Sequence, residues 1–346
     1  MLTHFKSLIS TLLCLLIVTV MFGQSKSSYT QYMLNNSILN PALTGIDNHM
    51  DVKISNRSQW VGIPGAPVTS YFSIQTPLNT SVSITTPTSL PYDSYDTSRR
   101  EYINMKDSIA GGHGLGLFVL NDHTGYLNRW TISSSYAFHK PISSKAILSA
   151  GINAGISSIN LDKSKVDFAG TDPFDPAIGD ASNELTKIRF ELGAGLWLHT
   201  NKFFTGVSFL NIVAGKSVFT DSGSYGEYYT PNLFFTSGYK FNITPDITAQ
   251  PSVMLQYWKP KLTGVNVSCK FQYQSLLWVG ANYSISDLVG GYSALAGINI
   301  SNIAHISYAY EIANSSRLRG YTNNSHEILL GIMLNRKKPF DFSERY

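Results

Sequence analysis

Ile188-Arg189-Phe190-Glu191-Leu192-Gly193-Ala194-Gly195-Leu196-Trp197-Leu198-His199 alternates along its whole length. The even positions are large or apolar, and between them stand Arg, Glu, Gly, Gly, Trp and His. A helix would repeat its apolar residues every three or four positions. A period of two belongs to a strand with two unlike faces. Leu148 to Ser157 does the same, with Leu, Ala, Ile, Ala and Ile against Ser, Gly, Asn, Gly and Ser. Leu277 to Ser286 and Tyr292 to Ile300 repeat the scheme.

Such runs exceed the five or six residues usual for a soluble strand and suit a tilted membrane strand of ~9–11 residues. Fourteen candidates start near residues 51, 69, 113, 126, 145, 186, 202, 231, 246, 261, 276, 290, 302 and 325. An even number is what a closed single-chain bacterial barrel needs, and closure leaves no unpaired backbone edge in lipid. The expected fold is all-β: a transmembrane antiparallel up-and-down β-barrel of about fourteen strands over residues 51–335.

Composition agrees. Charged residues are 14% of the chain, against roughly 25% in a typical soluble domain, while aromatics reach 12%, led by 20 Tyr. Lys6 followed by the apolar run Leu8–Phe22 and Gly23-Gln24 reads as a secretory signal peptide over residues 1–23, which excludes it from the fold. Cys14 leaves with it, so Cys269 stands alone and no intramolecular disulfide is available. The formal charge of +4 loses Lys6 and becomes +3. That is too mild, and too scattered, for nucleic acid. The expected location is the outer membrane of a Gram-negative cell, with outer-membrane lipid around the barrel.

Opposite the apolar rows fall Arg57, Arg189, Glu191, Lys240, Lys270, Glu311 and Glu327. Facing lipid at mid-membrane, such a charge would cost about 2–4 kcal/mol, so these are lumen candidates. They read as an ion-paired network filling the barrel or as a substrate path. With the N-terminus in the periplasm, every second connection should be tight. His199–Lys202, Asn242–Asp246, Tyr273–Ser275 and Ser301-Asn302 fit, and the longer 160–186, 211–230 and 313–324 then face the cell surface. Residues 77–111 break the rule at the periplasmic end, either as an insertion (79–110) or through a miscounted strand.

No motif argues for an enzyme. Gly112-His-Gly-Leu-Gly116 lies in a strand pattern with no following helix. Asp167, Asp172, Asp175 and Asp180 lack calcium-loop spacing. His326 and Glu327 are adjacent on a strand and point to opposite faces. There is no nucleophile elbow and no Cys/His metal spacing, so no catalytic residue, metal or cofactor is expected.

Ahead of the first strand runs Tyr29-Thr-Gln-Tyr-Met-Leu-Asn-Asn-Ser-Ile-Leu-Asn-Pro-Ala-Leu-Thr-Gly45. Pro41 lacks a backbone donor, holds Asn40 extended, and Gly45 can take positive φ. The segment 24–50 is thus suited to an irregular plug at the periplasmic mouth, with Tyr32, Met33, Leu34, Ile38 and Leu39 packing. It reads as a structural lid or as a docking element. Residues 336–346 form a tail.

Gln31-Tyr-Met33, Asn40-Pro-Ala-Leu-Thr-Gly45, Arg57-Ser-Gln-Trp60, Gly62, Gly65-Ala-Pro67 and Gln75-Thr-Pro77 together resemble the PorP/SprF family of type IX secretion membrane proteins. Gly320-Tyr321, Ser325-His-Glu-Ile328 and Leu330-Gly331 resemble its closing strand. Segment 80–109 departs from the family, which passes there through a short turn. The resemblance implies a non-enzymatic outer-membrane accessory, found in gliding and non-gliding Bacteroidetes. Such an accessory helps export or hold at the surface a cargo with a type IX C-terminal signal domain, such as an adhesin, with motor or periplasmic components as further partners. Tyr32, Asn40, Pro41, Gly45, Arg57, Gln59 and Trp60 are its motif positions here, as partner-binding or plug residues. A passive porin or hydrophobic-solute transporter is the competing reading.

Overall fold

The computed structural model describes residues 31–47, 49–78, 86–88, 112–143, 146–161, 186–213, 215–218, 226–229, 231–258, 261–286, 290–300, 303–313 and 320–334. The expected leader, the aspartate-bearing loop at 167–180, most of the 79–110 insertion and the 336–346 tail lie outside these residues.

Seven strands come first: β1 (Met50–Ser58), β2 (Val68–Pro77), β3 (Gly112–Thr124), β4 (Leu127–Ser143), β5 (Ala146–Leu161), β6 (Thr186–His199) and β7 (Phe203–Leu210). A small hairpin, β8 (Gly215–Val218) and β9 (Gly226–Tyr229), pairs with itself. Then follow β10 (Asn232–Tyr239), the two-residue β11 (Phe241–Asn242), β12 (Ile247–Trp258), β13 (Lys261–Tyr273), β14 (Leu277–Ser286), β15 (Gly291–Asn299), β16 (Ala304–Ala313) and β17 (Ser325–Leu334). Every pairing is antiparallel; apart from β10, which joins both β7 and β12, and β17, which returns to β1, the wall strands pair with their neighbours in sequence. The result is a closed barrel with fourteen wall strands. No helix among the described residues is long and apolar enough to cross a membrane, and the strands make the wall.

The wall starts close to where the alternation places it, from Met50 to Ser325. At the 77–111 connection, Pro77 pairs with Gly114 and β2 lies directly against β3. The strand count therefore holds there, with β2 and β3 adjacent in the wall. Outward rows carry lipid-compatible residues: Ile188, Phe190, Leu192 and Leu196 on β6, Ile152 and Ile156 on β5, Val279 on β14 and Ile328 and Leu330 on β17 are all exposed. Exposed aromatics gather toward both mouths. Phe138, Phe203, Tyr239, Phe241 and Tyr273 sit at the end where β1 begins, and Tyr126, Trp130, Tyr257 and Tyr292 at the other. Two such belts are what amphipathic rings form at the two membrane–water interfaces.

The inward rows are less polar than the sequence reading expects. Small polar residues are there, Ser133, Ser149, Ser157, Asn282 and Ser293 among them. So are Trp197, Trp278, Phe204, Phe234, Tyr71, Leu120, Leu295 and Leu329, all buried. These large residues face other protein, not water, because residues 31–46 lie inside the barrel.

Candidate functional site

The internal segment is three single turns of 3₁₀ helix, Tyr32–Leu34, Asn36–Ile38 and Pro41–Leu43. Asn40 is extended (φ −139°, ψ 106°), as a residue before proline must be, and Pro41 occupies the first position of the last turn, where its missing N–H costs nothing. Gly45 turns the chain at φ +62°. A Cβ there would also lie 2.6 Å from Thr76 O and from Gly114 Cα. No other residue fits.

Its polar groups bond to strands all round the wall. Gln31 Nε2 donates to Glu327 O (3.1 Å), and its Oε1 accepts from Ser307 Oγ (2.6 Å). Tyr32 OH bonds Ser268 Oγ at 2.6 Å, and Asn35 Nδ2 donates to Ser73 Oγ at 3.1 Å. Ser208 Oγ donates to Leu39 O. Asn40 Oδ1 caps its own turn by accepting from Ala42 N (3.0 Å), while Nδ2 donates to Leu196 O (3.0 Å) and Val207 O (3.4 Å). Thr44 Oγ1 donates to Ser135 Oγ (2.9 Å), and Thr44 O is bonded by His139 Nε2 (3.0 Å). His139 is oriented in turn by Ser149 Oγ on its other nitrogen at 2.8 Å. Buried groups taken out of water are thus given partners in the wall.

Its apolar groups divide the lumen between them. Ala42, Leu43 and Ile46 pack with Ile147, Trp197 and Phe204, the last two rings stacked at 5.4 Å. Tyr32, Met33 and Leu39 pack with Phe234 and Met254. Leu34 and Ile38 reach Tyr71, Leu120 and Leu329, and Leu34 also touches the Trp278–Leu295–Ala309 group. The segment approaches the wall closely only because the wall lacks side chains there. A Cβ on Gly114 would lie 2.0 Å from Thr44 O, on Gly151 2.3 Å from Pro41 O, and on Gly195 2.0 Å from Asn40 Oδ1. These glycines were missed as site residues. The sequence shows them only as the polar half of an alternation.

The other predicted positions lie apart from this seam. Arg57 is buried and inward, and its Nη2 donates to Glu311 Oε2 at 3.0 Å across the β1–β17–β16 wall. Glu327 sits beside it, opposite Arg57 in the β1–β17 register. Arg189 bonds its own strand neighbour Glu191 at 2.8 Å. Lys270 is buried and inward, and Lys240 lies past the end of β10, where its N donates to Lys202 O at 2.7 Å. A further buried pair, Lys53–Asp51 on β1, was missed. Arg57–Glu311, Arg189–Glu191 and Lys53–Asp51 are thus local pairs in the wall, while residues 31–46 lie in the lumen. Gln59 continues the β1–β2 ladder through its N–H to Pro67 O at 2.9 Å. Trp60 leaves the ladder at φ 45°, with its N–H to Ser325 Oγ at 3.2 Å. It is half-buried and not among the exposed aromatics of the belts.

Above the internal segment, between it and β3–β7, β10 and β12, lies a cavity of about 80 Å³. Ile38, Leu39, Phe118, Leu120, Leu210, Phe234 and Met254 supply its apolar lining, and Thr131, Ser133, Asn153, Glu191, Asn211, Asn232 and Gln256 its polar one. Among the described residues no group of three or more His, Cys, Asp or Glu is placed to hold a metal ion.

Among solved structures, the chain is similar to the Acinetobacter baumannii outer membrane protein Omp33 (10% identity, TM-score 0.44, covering 84% of this chain and 99% of that one). It is also similar to the CymD monoaromatic hydrocarbon channel (13%, 0.47, 90% and 94%) and the Pseudomonas putida toluene transporter TodX (12%, 0.44, 90% and 95%). Likeness at that level says nothing of what this barrel binds or carries. No curated protein matches. Residues 21–332, nearly the whole chain, match the family described as type IX secretion system membrane protein PorP/SprF. With fourteen closed strands and a membrane-facing exterior, this chain is an outer-membrane β-barrel and belongs to the PorP/SprF family of type IX secretion system membrane proteins.

Proposed function

We propose that this protein is a non-enzymatic component of the type IX secretion system that helps export, or hold at the cell surface, one cognate cargo bearing a C-terminal signal domain, such as an adhesin. The observation that carries the reading against a passive pore is the filled lumen. Residues 31–46 bond or pack against strands on every side, and a solute path would have to displace them. A protein built this way works by binding partners at its mouths. In that role the buried Asn40–Gly45 turn holds the N-terminal segment in its seat inside the barrel, and motor or ring components are candidate partners at the periplasmic mouth.

The test is a deletion strain compared with wild type by surface labelling. Loss of one or a few C-terminal-domain proteins, with general type IX export intact, is the expected result. Loss of every cargo together would make the protein core machinery. Unchanged cargo with reduced uptake of a solute would support the transporter reading instead.

A further inference from the structure

β6 is longer than the wall beside it. On one side it pairs with β5 out to Thr186, opposite Asn160. On the other, its pairing with β7 stops at Gly193, opposite Leu210. Asn211 follows with φ 55° and turns the chain out of the sheet. The last tie on that side is Ile212 N to Leu192 O, 2.9 Å. Beyond it, among the described residues, Thr186–Glu191 has a strand on one side only, and the β8–β9 hairpin pairs with itself.

Parity shows which groups face the gap. Successive strand residues direct N–H and C=O to opposite edges. Leu192 O faces β7, so the N–H and C=O of Phe190 and Ile188 face the same way. Among the described residues, the same two carry the most exposed large apolar side chains of any strand, 69% and 71%. The cavity described above lies at the foot of this edge, lined by Glu191, Leu210, Asn211 and Asn232.

We infer that the outer edge of β6 receives an extended strand of a different protein, added beside Ile188–Phe190 as the next strand of the sheet. An unpaired row of N–H and C=O groups is a template for another chain, and strand addition is a general mode of peptide recognition. Only an extended backbone matches donors and acceptors that recur at every second residue. A small molecule or a lipid head group does not. The side chains specify the strand further. Its outward residues are apolar, to lie against Ile188 and Phe190. An inward aliphatic side chain at its lower end fills the cavity, which is about half the ~150 Å³ that takes a benzene. A second copy of this chain is a poor occupant. Antiparallel pairing of two β6 edges would point the two barrels in opposite directions across the membrane. The inference stands apart from the cargo reading, since the partner is defined by strand geometry alone.

The experiment places a benzophenone photo-crosslinking residue at Phe190 in cells and compares Ile188→Ala with Ile188→Pro behind it. Proline at 188 removes an N–H that faces the gap and leaves the β5 ladder intact. A cross-link to an extended segment of another protein is expected. Its yield should survive Ile188→Ala and fall roughly tenfold with Ile188→Pro, while heat-modifiable gel migration stays unchanged. Should Ile188→Pro fail to assemble, amide hydrogen exchange at 188 and 190 in the unaltered protein decides the matter. Protection in native membranes that disappears in the purified barrel is the expected pattern. A cross-link indifferent to proline, cross-links only to lipid or to this chain itself, or amides protected equally in the purified barrel would each overturn the inference. Free exchange in both preparations would do the same.

Discussion

Asn40 uses both ends of its amide. Oδ1 caps a turn and Nδ2 reaches two wall carbonyls. Aspartate is an equally good cap, but at this buried position it turns an acceptor toward Leu196 O and Val207 O. Asn40→Asp should therefore lower the thermal midpoint of the refolded barrel at least as far as Asn40→Ala, whose lost cap alone costs ~1 kcal/mol. A harmless Asn40→Asp would show that the donor contacts do not matter. Gly195→Ala attacks the same seam from the wall, because its new methyl meets Asn40 Oδ1 at 2.0 Å. It should loosen residues 31–46, read as faster proteolysis of the N-terminal segment with heat-modifiable migration preserved. Arg57 is a separate matter. Removing one partner of a buried ion pair costs about 3–5 kcal/mol, so Arg57→Ala should be strongly destabilising. Replacing Arg57 and Glu311 together with apolar residues should recover much of the loss. Of these residues, the sequence made the backbone of Asn40, Pro41 and Gly45 legible, since proline and positive φ are local constraints. It hid Gly114, Gly151 and Gly195, because their need for bare backbone arises from a segment as many as 155 positions away that no local pattern announces.

Strand by strand, the alternation reads the wall well. Lipid outside and protein inside impose a period of two that survives even where glycine or serine weakens it. It misreads the inner face at Trp197, Trp278 and Leu295, whose apolar character answers to the internal segment and not to the bilayer. β5 offers the direct check of faces. Ile152 is exposed to lipid and Asn153 lines the cavity. Ile152→Arg should cost roughly 2–4 kcal/mol near mid-membrane and lower the yield of folded barrel. Asn153→Arg should be milder, with the cavity to receive it. Equal, slight effects would overturn the assignment of faces. The β2–β3 connection opens at the mouth where β1 begins. With that mouth in the periplasm, protease should cut residues 79–110 only after the outer membrane is permeabilised, and cutting in intact cells would reverse the orientation.

For the molecule as a whole, the filled lumen predicts electrical silence. The purified protein should conduct almost no current in planar bilayers, and a form lacking residues 31–46, refolded to the same heat-modifiable state, should conduct. Steady conductance of the intact protein would mean that the segment leaves the lumen readily. The same feature also sets an order of events in time. Gln31 bonds the backbone of Glu327, 296 positions further along the chain, and the last strand closes the barrel against the first. The segment that emerges early in synthesis can find its final seat only when the end of the chain arrives. Native contacts of such long range come late in folding and make it slow, so the N-terminal residues must cross the periplasm unsatisfied. A chain cut short before β17 should therefore lose the internal seat as well as the last strand.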